Sequence, residues 1–285
     1  MKRASRICAA LCAALCAVAA LSGCVDSATK ITVKADGSGT IEKTIVLGSS
    51  FVAFLGSMGM GGDAAELESS MLSAESLEAD AERMGEGVTF VSAEKVTTPG
   101  GNGYRALYRF NDINNVRLDQ SPTADVDVPS VGAPAEQPSA PEVRTFRFVK
   151  GNPASLTIIS PQPEAGEAGE GDTSDGDTAE GSAEAQASPE EAQAMMELLR
   201  PLYSELRMAF SVEVQGTIAR TNAVYVEGST VTIMDVDFGD ILADDAMFQA
   251  LSSRNAQSMT DIQDIVDVLP GVRIDTQQTI TIEFR

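Results

Sequence analysis

The sequence has no histidine and no tryptophan, and only four of its 285 residues are tyrosines. The lack of histidine excludes Ser-His-Asp and Cys-His catalysis, and it excludes zinc sites that use histidine. The lack of tryptophan, with so few tyrosines, removes the side chains on which sugars usually stack. Paired carboxylates for glycoside hydrolysis stay open in so acidic a chain, but such an enzyme would lack these stacking residues.

Cysteine is almost as scarce, and its placement bears on where the protein resides. Three of the four cysteines, Cys8, Cys12 and Cys16, lie in an apolar stretch near the amino terminus, and Cys24 follows that stretch. Beyond the stretch no pair remains to form a disulfide, so the folded part must be stabilised by an ordinary core or by an anchor.

Residues 1–24 have the organisation of an export signal. Lys2, Arg3 and Arg6 form a basic start, and about fifteen apolar or small residues lead up to Leu21. That run is shorter than the roughly 20 apolar residues of a membrane-spanning helix. It closes on Leu21-Ser22-Gly23-Cys24, which resembles the lipobox of bacterial lipoproteins.

The lipobox resemblance implies that the chain is cut after Gly23, that the Cys24 thiol receives a diacylglycerol and that the new amino terminus is acylated. Cys24 is therefore the predicted lipidation site and the predicted contact with the membrane. Two or three acyl chains give stable attachment. If the envelope has two membranes, Val25 after Cys24 favours the outer one. The alternative is a secretory signal cut after Ala17-Val18-Ala19, which would release a soluble protein.

Positive charge is also scarce. The chain has 20 Lys and Arg against 42 Asp and Glu, a formal net charge of −22. Residues 1–23 hold three basic and no acidic residues, so cleavage would leave 17 basic against 42 acidic residues, a charge of −25. Such a surface repels nucleic acid and anionic headgroups. Lys30, Lys34 and Lys43, near the predicted anchor, are expected to be solvated on an early hairpin.

Two segments are too polar or too rich in proline to pack into a core. Residues 161–188 are almost wholly acidic, small or polar and predict a disordered acidic insert. Residues 119–141 contain five prolines and predict a flexible loop. About 210 residues remain, enough for one core. The predicted organisation is a signal peptide at 1–23 and a single domain at 24–285.

Alternating apolar patterns predict strands joined by short reversals, which favours antiparallel pairing. Residues 31–34 and 40–46 flank Asp36-Gly37-Ser38-Gly39 and predict a hairpin. Further strands are predicted at 88–96, 104–110, 143–149, 155–159, 210–216, 219–226, 230–236 and 279–284.

Apolar residues at every third or fourth position predict helices at 63–84, 188–206 and 258–269. Asp63 and Glu66 form a capping pattern for the first helix, and Gly85 ends it. The predicted fold class is α+β, with antiparallel sheets built from hairpins and packed with three to four helices.

Several of these segments resemble one family of lipoproteins. The motifs are residues 210–216, Asn222-Ala223 and residues 226–232, and they follow an early Asp-Gly hairpin. Their order is similar to that of LppM-type domains of bacterial lipoproteins, mainly over residues 24–50 and 189–236. The resemblance implies an α+β lipoprotein domain that holds a lipid or glycolipid between sheet and helix, and it supplies no catalytic residues.

The chain departs from the family pattern at three points. It has Gln215-Gly216 where members often have Pro-Gly, and it has no aromatic residue beside Ile233. Its sequence also shows no C-terminal apolar span like the family's membrane helix.

Two short motifs imitate known sites. Asp237-Phe238-Gly239 matches the metal-binding triplet of protein kinases, but a kinase also needs a His-Arg-Asp loop. Residues 59–64 fit G-x-G-x-x-A before a predicted helix, but Asp63 would place negative charge where a pyrophosphate should sit. No cofactor-binding residues are predicted. Residues 59–64 are interpreted as a flexible loop, and the apolar run 51–55 as either core or an apolar lid.

Two groups of aspartates bring calcium into consideration. The groups are Asp172, Asp175 and Asp177 in the acidic insert, and Asp235, Asp237, Asp240, Asp244 and Asp245 near a predicted strand end. Neither group matches the twelve-residue calcium loop that ends in glutamate. Both are interpreted as solvated acidic surface, and no metal is predicted.

The sequence therefore predicts a non-catalytic, exported envelope lipoprotein anchored through Cys24. The first hypothesis for its role is a module that binds a lipid or glycolipid in a cavity between sheet and helices. The second is an interaction or scaffold protein that contacts envelope protein partners through the acidic insert and exposed sheet edges. The third is a carboxylate-based hydrolase, which requires two facing buried acids. No nucleic-acid partner is expected.

Overall fold

The structure is a computed structural model that describes residues 25–57, 71–98, 100–119, 143–161, 206–243 and 272–285. The predicted signal peptide and Cys24 lie outside these residues. So do the predicted helix at 258–269, nearly all of the helix at 188–206, and almost the whole of the predicted loop and acidic insert.

The described residues are mostly β-structure. In chain order the strands are β1 (Val25–Val33), β2 (Gly39–Gly48), β3 (Val88–Thr98), β4 (Gly101–Phe110), β5 (Arg117–Asp119), β6 (Val143–Val149), β7 (Ala154–Ile159), β8 (Leu206–Val214), β9 (Ile218–Thr221), β10 (Tyr225–Glu227), β11 (Thr230–Asp237), β12 (Arg273–Ile274) and β13 (Thr279–Phe284). Eight strands form sheet A in the order β10-β11-β8-β1-β2-β4-β3, with β12 also paired to β11. Five form sheet B in the order β5-β6-β7-β13-β9.

The predicted amino-terminal hairpin is confirmed. β1 pairs antiparallel with β2, so that Ile31 faces Ile41 and Val33 faces Gly39. Gly37 has a φ of 88°, which glycine adopts without strain. The Asp36 carboxylate stabilises the turn by accepting hydrogen bonds from the Ser38 backbone N–H at 3.0 Å and the Ser38 hydroxyl at 2.7 Å.

The second neighbour of β1 was not predicted. β1 pairs in parallel with β8, which lies about 180 residues later in the chain, and the pairing runs from Val25 opposite Leu206 to Val33 opposite Val214. Leu206 is therefore the first residue of a strand, which corrects its sequence assignment to the end of a helix.

The two sheets face each other across a shared core. One hydrophobic cluster contains Ile41 and Tyr108 of sheet A together with Leu156 and Phe284 of sheet B, and all four are essentially inaccessible to solvent. Their burial follows from the alternation of apolar and polar residues along each strand. Full burial of such a side chain contributes about 1.5–3 kcal/mol, so this core is the main source of stability in the described part of the chain.

The predicted strand at 219–226 is two strands that belong to different sheets. β9 pairs with β13 in sheet B, whereas β10 pairs with β11 in sheet A. Asn222 lies between them, and its side-chain oxygen accepts a hydrogen bond from the Thr281 backbone N–H at 2.7 Å. Its amide nitrogen donates to the Thr279 carbonyl at 2.9 Å. The Asn222 side chain thus ends the sheet B pairing where the chain crosses to sheet A.

The predicted α+β class with three to four helices packed on a sheet is wrong. The described helices are short: α1 (Ser49–Ser57), α2 (Ala74–Arg83) and α3 (Phe238–Ala243). The physical reason is that much of the apolar face of sheet A is covered by a second sheet and not by a layer of helices. The strands at 143–149, 155–159 and 279–284 were predicted correctly, but they form that second sheet.

Helix α2 confirms the carboxyl-terminal half of the predicted helix at 63–84, whose residues 63–70 lie outside the described part of the chain. It begins after Ser73, whose hydroxyl accepts a hydrogen bond from the Ser76 backbone N–H at 3.1 Å. Leu77 and Ala81 are buried against the core. The helix ends at Arg83, and the Gly85 N–H donates to the Glu82 carbonyl at 3.2 Å.

Gly85 and Gly87 provide a matched test of this turn. Both have positive φ, 127° and 80°, but a Cβ on Gly85 would lie 2.0 Å from the Asn115 carbonyl oxygen, whereas one on Gly87 would meet nothing within 4 Å. We expect Gly85→Ala to lower the free energy of unfolding by more than about 3 kcal/mol, and Gly87→Ala by about 1 kcal/mol. Urea denaturation of both variants measures the difference. Equal losses would show that the Asn115 contact is unimportant.

Candidate functional site

The most unusual side chain in the core is Arg144 on β6. It shares the inward face of that strand with Phe146, and it is only 6% exposed. Its guanidinium carbon lies 4.6 Å from the centre of the Phe210 ring on β8, in the opposite sheet. Its Nη2 donates a hydrogen bond to the Ser160 hydroxyl at 3.4 Å. A cation thus sits between the two sheets, on an aromatic face that attracts positive charge.

Burial lowers the pKa of Arg144 to about 10, because the charged form loses its hydration. The guanidinium nevertheless stays protonated at neutral pH. Placing a charge in an apolar interior costs several kcal/mol unless other groups compensate it. The Phe210 ring and the Ser160 hydroxyl are among the groups that compensate this charge.

A second cation, Lys43 on β2, is buried at the same level of sheet A. It is 6% exposed, and its Nζ lies 3.1 Å from Oδ2 of Asp80 on α2. The Tyr108 hydroxyl donates to the same oxygen at 3.3 Å, and Arg83 donates to the other carboxylate oxygen of Asp80. The expectation that Lys43 is solvated is therefore wrong, whereas Lys30, 45% exposed and paired with Glu213, and Lys34 do reach solvent.

The strand register relates the two cations. Thr29 on β1 lies opposite Lys43 on one side and opposite Phe210 on the other. Neighbouring strands are about 4.8 Å apart, so β2 and β8 are separated by roughly 10 Å. Lys43 and the Arg144–Phe210 pair therefore flank Thr29 on one row across the inner face of sheet A.

The charges along this row are mainly positive, whereas the net charge of the chain is negative. The buried charged side chains of the described ranges are two cations, Arg144 and Lys43, and the carboxylates of Asp26, Asp80 and Asp275, of which only Asp80 lies beside this row. Arg83 adds a third positive charge at the rim, where its side chain is 63% exposed. The chain as a whole carries a net charge of −22. Only this row is thus locally positive, and the apolar side chains of Ile45, Leu47 and Tyr104 lie beyond it.

Sequence reasoning missed both cations, although the pattern held a signal for them. Lys43 lies at the same strand parity as Ile41 and Ile45, and Arg144 at the same parity as Phe146. Because alternate residues share a face, each charge falls on the apolar side of its strand.

The apolar run at 51–55 is described only in part. Phe51 and Val52, at the start of α1, are half-buried and pack against the core. This agrees with the core interpretation of these two residues. The Gly59–Ala64 motif lies outside the described residues.

The Asp237-Phe238-Gly239 triplet forms the junction between β11 and α3. The Gly239 backbone N–H donates to the Asp237 carboxylate at 2.9 Å, which is the hydrogen bond of a helix start. Nearby, Arg207 donates to Oδ1 of Asp235 from Nε at 3.2 Å and from Nη2 at 3.1 Å. Asp235 and Asp237, both assigned to the predicted acidic surface, therefore form hydrogen bonds with neighbouring residues. Asp172, Asp175, Asp177, Asp244 and Asp245 lie outside the described residues.

Nowhere in the described ranges do three acidic, cysteine or histidine side chains come together in a way that could hold a metal ion. The buried carboxylates of the same ranges belong to Asp26, Asp80 and Asp275. Asp80 lies on the inner side of sheet A and Asp26 on its outer face. Asp275 accepts hydrogen bonds from the Val224 N–H at 2.8 Å and from Gln277, which ties the crossover to the segment before β13.

Asp26 stands in an unfavourable environment. It is 8% exposed, and its Oδ1 has no hydrogen-bond partner. Burial is the main reason that its pKa is raised above the usual value. Arg207 opposes the rise, and the charges of Asp235 and Asp237 add to it.

The comparisons with known proteins give little beyond this geometry. No protein-family model matches the chain, and no curated protein matches it either. Among solved structures, the NMR structure of the folded domain of Mycobacterium tuberculosis LppM is similar at 10% sequence identity and a TM-score of 0.34, covering 93% of this chain and 91% of that one. It shares its name with the family that the sequence resembles. A TM-score this low carries no argument about fold or function, so both are argued from the chain's own residues.

The raised pKa of Asp26 predicts how stability depends on pH. A carboxyl group whose pKa is higher in the folded state disfavours folding, and this unfavourable contribution begins as the pH rises above the unfolded pKa and is complete above the folded pKa. We expect Asp26→Asn to raise the melting temperature at neutral pH, and the gain to vanish as the pH falls below about 4. Thermal melts across this range measure it.

Asp36 is the control, because its pKa is shifted in the opposite direction. Hydrogen bonds from Ser38 lower its pKa, so its contribution stabilises the fold above the unfolded pKa and is lost as the pH falls. Asp36→Ala should lower the melting temperature at neutral pH only. If Asp26→Asn melts at a lower temperature than the unaltered protein at neutral pH, the ionised Asp26 carboxylate does not destabilise the fold, and the prediction is wrong.

Proposed function

We propose that this chain is a membrane-anchored envelope lipoprotein whose β-domain binds a lipid or glycolipid without catalysing a reaction. Arg144, a protonated guanidinium held between two sheets against Phe210, is the observation that carries the binding part. The Leu21–Cys24 lipobox carries the anchoring part. No helix of the described residues is long and apolar enough to cross a bilayer.

The interior combines the two properties that an amphiphile requires. The guanidinium of Arg144 presents several donors in one plane, which suits phosphate, carboxylate or the hydroxyls of a sugar. The apolar side chains of the same core, such as Ile45 and Phe210, suit acyl chains. Lys43 is paired with Asp80, whereas Arg144 contacts the Ser160 hydroxyl and the Phe210 ring.

A non-catalytic role agrees with the chemistry of these groups. Arg144 stays protonated at neutral pH and therefore cannot act as a base. The Asp80 carboxylate is already engaged by Lys43, Tyr108 and Arg83. The arrangement is one that holds a polar group in place.

The anchor is tested by the mass of the protein isolated from its membrane. We expect Cys24→Ser to remove the mass of the acyl groups and to release the protein from the membrane fraction or leave it uncleaved. Cys16→Ser is the matched control, because it lies in the segment that is discarded and should change neither mass nor location. A mature protein that starts after Ala19 would contradict the lipobox assignment.

Lipid binding is tested with a soluble form that begins at Val25 and so keeps every described residue. Native mass spectrometry is expected to show co-purified lipid. Arg144→Met, which keeps an unbranched side chain but removes the charge, should reduce the bound fraction about tenfold or more, since a hydrogen bond to a charged group contributes roughly 1.5–3 kcal/mol.

Arg147→Met is the matched control, because Arg147 lies on the same strand but on the exposed face. It should leave the bound fraction unchanged, and circular dichroism should show that both variants are folded. Protein that is free of lipid in every preparation would argue against the binding role and favour the interaction or scaffold role.

A further inference from the structure

The outer face of sheet B combines exposed arginines, hydroxyl groups and two exposed apolar side chains. Arg147 on β6 lies opposite Thr157 on β7, and Arg220 on β9 lies opposite Glu283 on β13. Arg117 on β5 lies opposite Thr145, whose other neighbour is Ile159. We call this surface the threonine–arginine face.

The threonine–arginine face is open to solvent. The three arginines are exposed, and Val149 and Ile159 on the same face are 55% and 38% exposed. The alternate residues of the same strands, such as Leu156 and Ile282, are fully buried on the other side. Neither a helix nor another strand of the described residues packs on this face.

The two outer sheet faces differ in how many of their cations are paired. On sheet A, Lys30, Arg105 and Arg207 are paired with Glu213, Glu94 and Asp235, and only Arg109 among the exposed arginines of its central strands forms no salt bridge with a described residue. On the threonine–arginine face, Arg117, Arg147 and Arg220 form no salt bridge with any described residue, although Asp119 and Glu283 lie on the same face. Three positive charges against two negative ones leave an excess of positive charge here, in a chain whose net charge is −22.

We propose that the threonine–arginine face lies against the anionic headgroups of the bilayer that holds the Cys24 anchor, and that this contact orients the domain. The inference rests on the lipid anchor of the proposed function. Five strands span roughly 19 Å, so the arginines are spread over a broad sheet surface that fits an extended partner. Val149 and Ile159 can enter the headgroup layer beside them.

Charge decides the orientation. The remaining surface of so acidic a chain is repelled by an anionic bilayer, whereas each arginine near such a surface strengthens membrane affinity roughly fivefold. An anchored domain therefore has its lowest free energy when this face is turned to the lipid. The contact weakens with salt, because exposed charges are screened within about 10 Å at 0.1 M ionic strength.

The test is arginine footprinting of the full-length protein reconstituted into vesicles. One set of vesicles is neutral phosphatidylcholine, and the other also contains anionic phosphatidylglycerol. Phenylglyoxal modifies accessible arginines, and mass spectrometry of peptides reads each site. We expect the modification of Arg117, Arg147 and Arg220 to slow about fivefold in the anionic vesicles and to recover at high salt. Arg109, exposed on the outer face of sheet A, is the internal control and should not change.

The outcomes separate this inference from the anchor on which it rests. Protein that fails to float with either set of vesicles contradicts the lipid anchor. Protein that floats with both, but whose three arginines react equally in both, overturns the orientation. Protection by soluble polyphosphate without protection by anionic lipid also overturns it, and would assign the face to a phosphate polymer. A Thr157→Cys variant places a thiol on this face, and its labelling should be slower in anionic than in neutral vesicles. Replacing all three arginines by glutamine in that variant should abolish this difference.

Discussion

Sheet A depends on the double pairing of β1. This strand is hydrogen-bonded to β2 on one side and to β8 on the other, over its whole length from Val25 to Val33. It joins the amino-terminal meander of β2, β4 and β3 to β8 and β11, which come from the later part of the chain. Sheet B then closes over the apolar face that this pairing creates, and the Arg144–Phe210 contact forms because β8 stands beside β1.

The inner surface is a compromise between packing and charge. Two cations occupy positions that a fully apolar core would fill with isoleucine or phenylalanine, and one of them has a buried carboxylate partner on α2. Replacing a buried ion pair by apolar side chains is often neutral or stabilising, so stability alone gives no reason to keep Lys43 and Asp80. The proposed binding of an oxygen-rich group would give such a reason for Arg144, and the Lys43–Asp80 pair fixes α2 over the same row.

The strands of this fold could be predicted from sequence because alternation is a local property. The hairpin around Gly37 and the strands at 143–149, 155–159 and 279–284 were recognisable from their own residues. The partnership of β1 with β8 was not, since nothing near Val25 or Leu206 specifies a neighbour so distant in sequence. The division of 219–226 between two sheets depends on Asn222 meeting Thr279 and Thr281, which is also a contact between distant segments. Parity along β2 and β6 could have identified the buried Lys43 and Arg144, whereas their placement on one row required the register of β1.

The first residue of β1 follows Cys24 directly, and this has a mechanical consequence. Consecutive Cα atoms are about 3.8 Å apart, so an acylated Cys24 would leave no linker between the lipid and the central strand. A pull on the anchor would load the hydrogen bonds to β2 and β8 in shear, all together, instead of opening them one after another. Strand β1 would then carry the force on the anchor and also hold sheet A together. The same hydrogen bonds would resist both extraction from the membrane and unfolding by force.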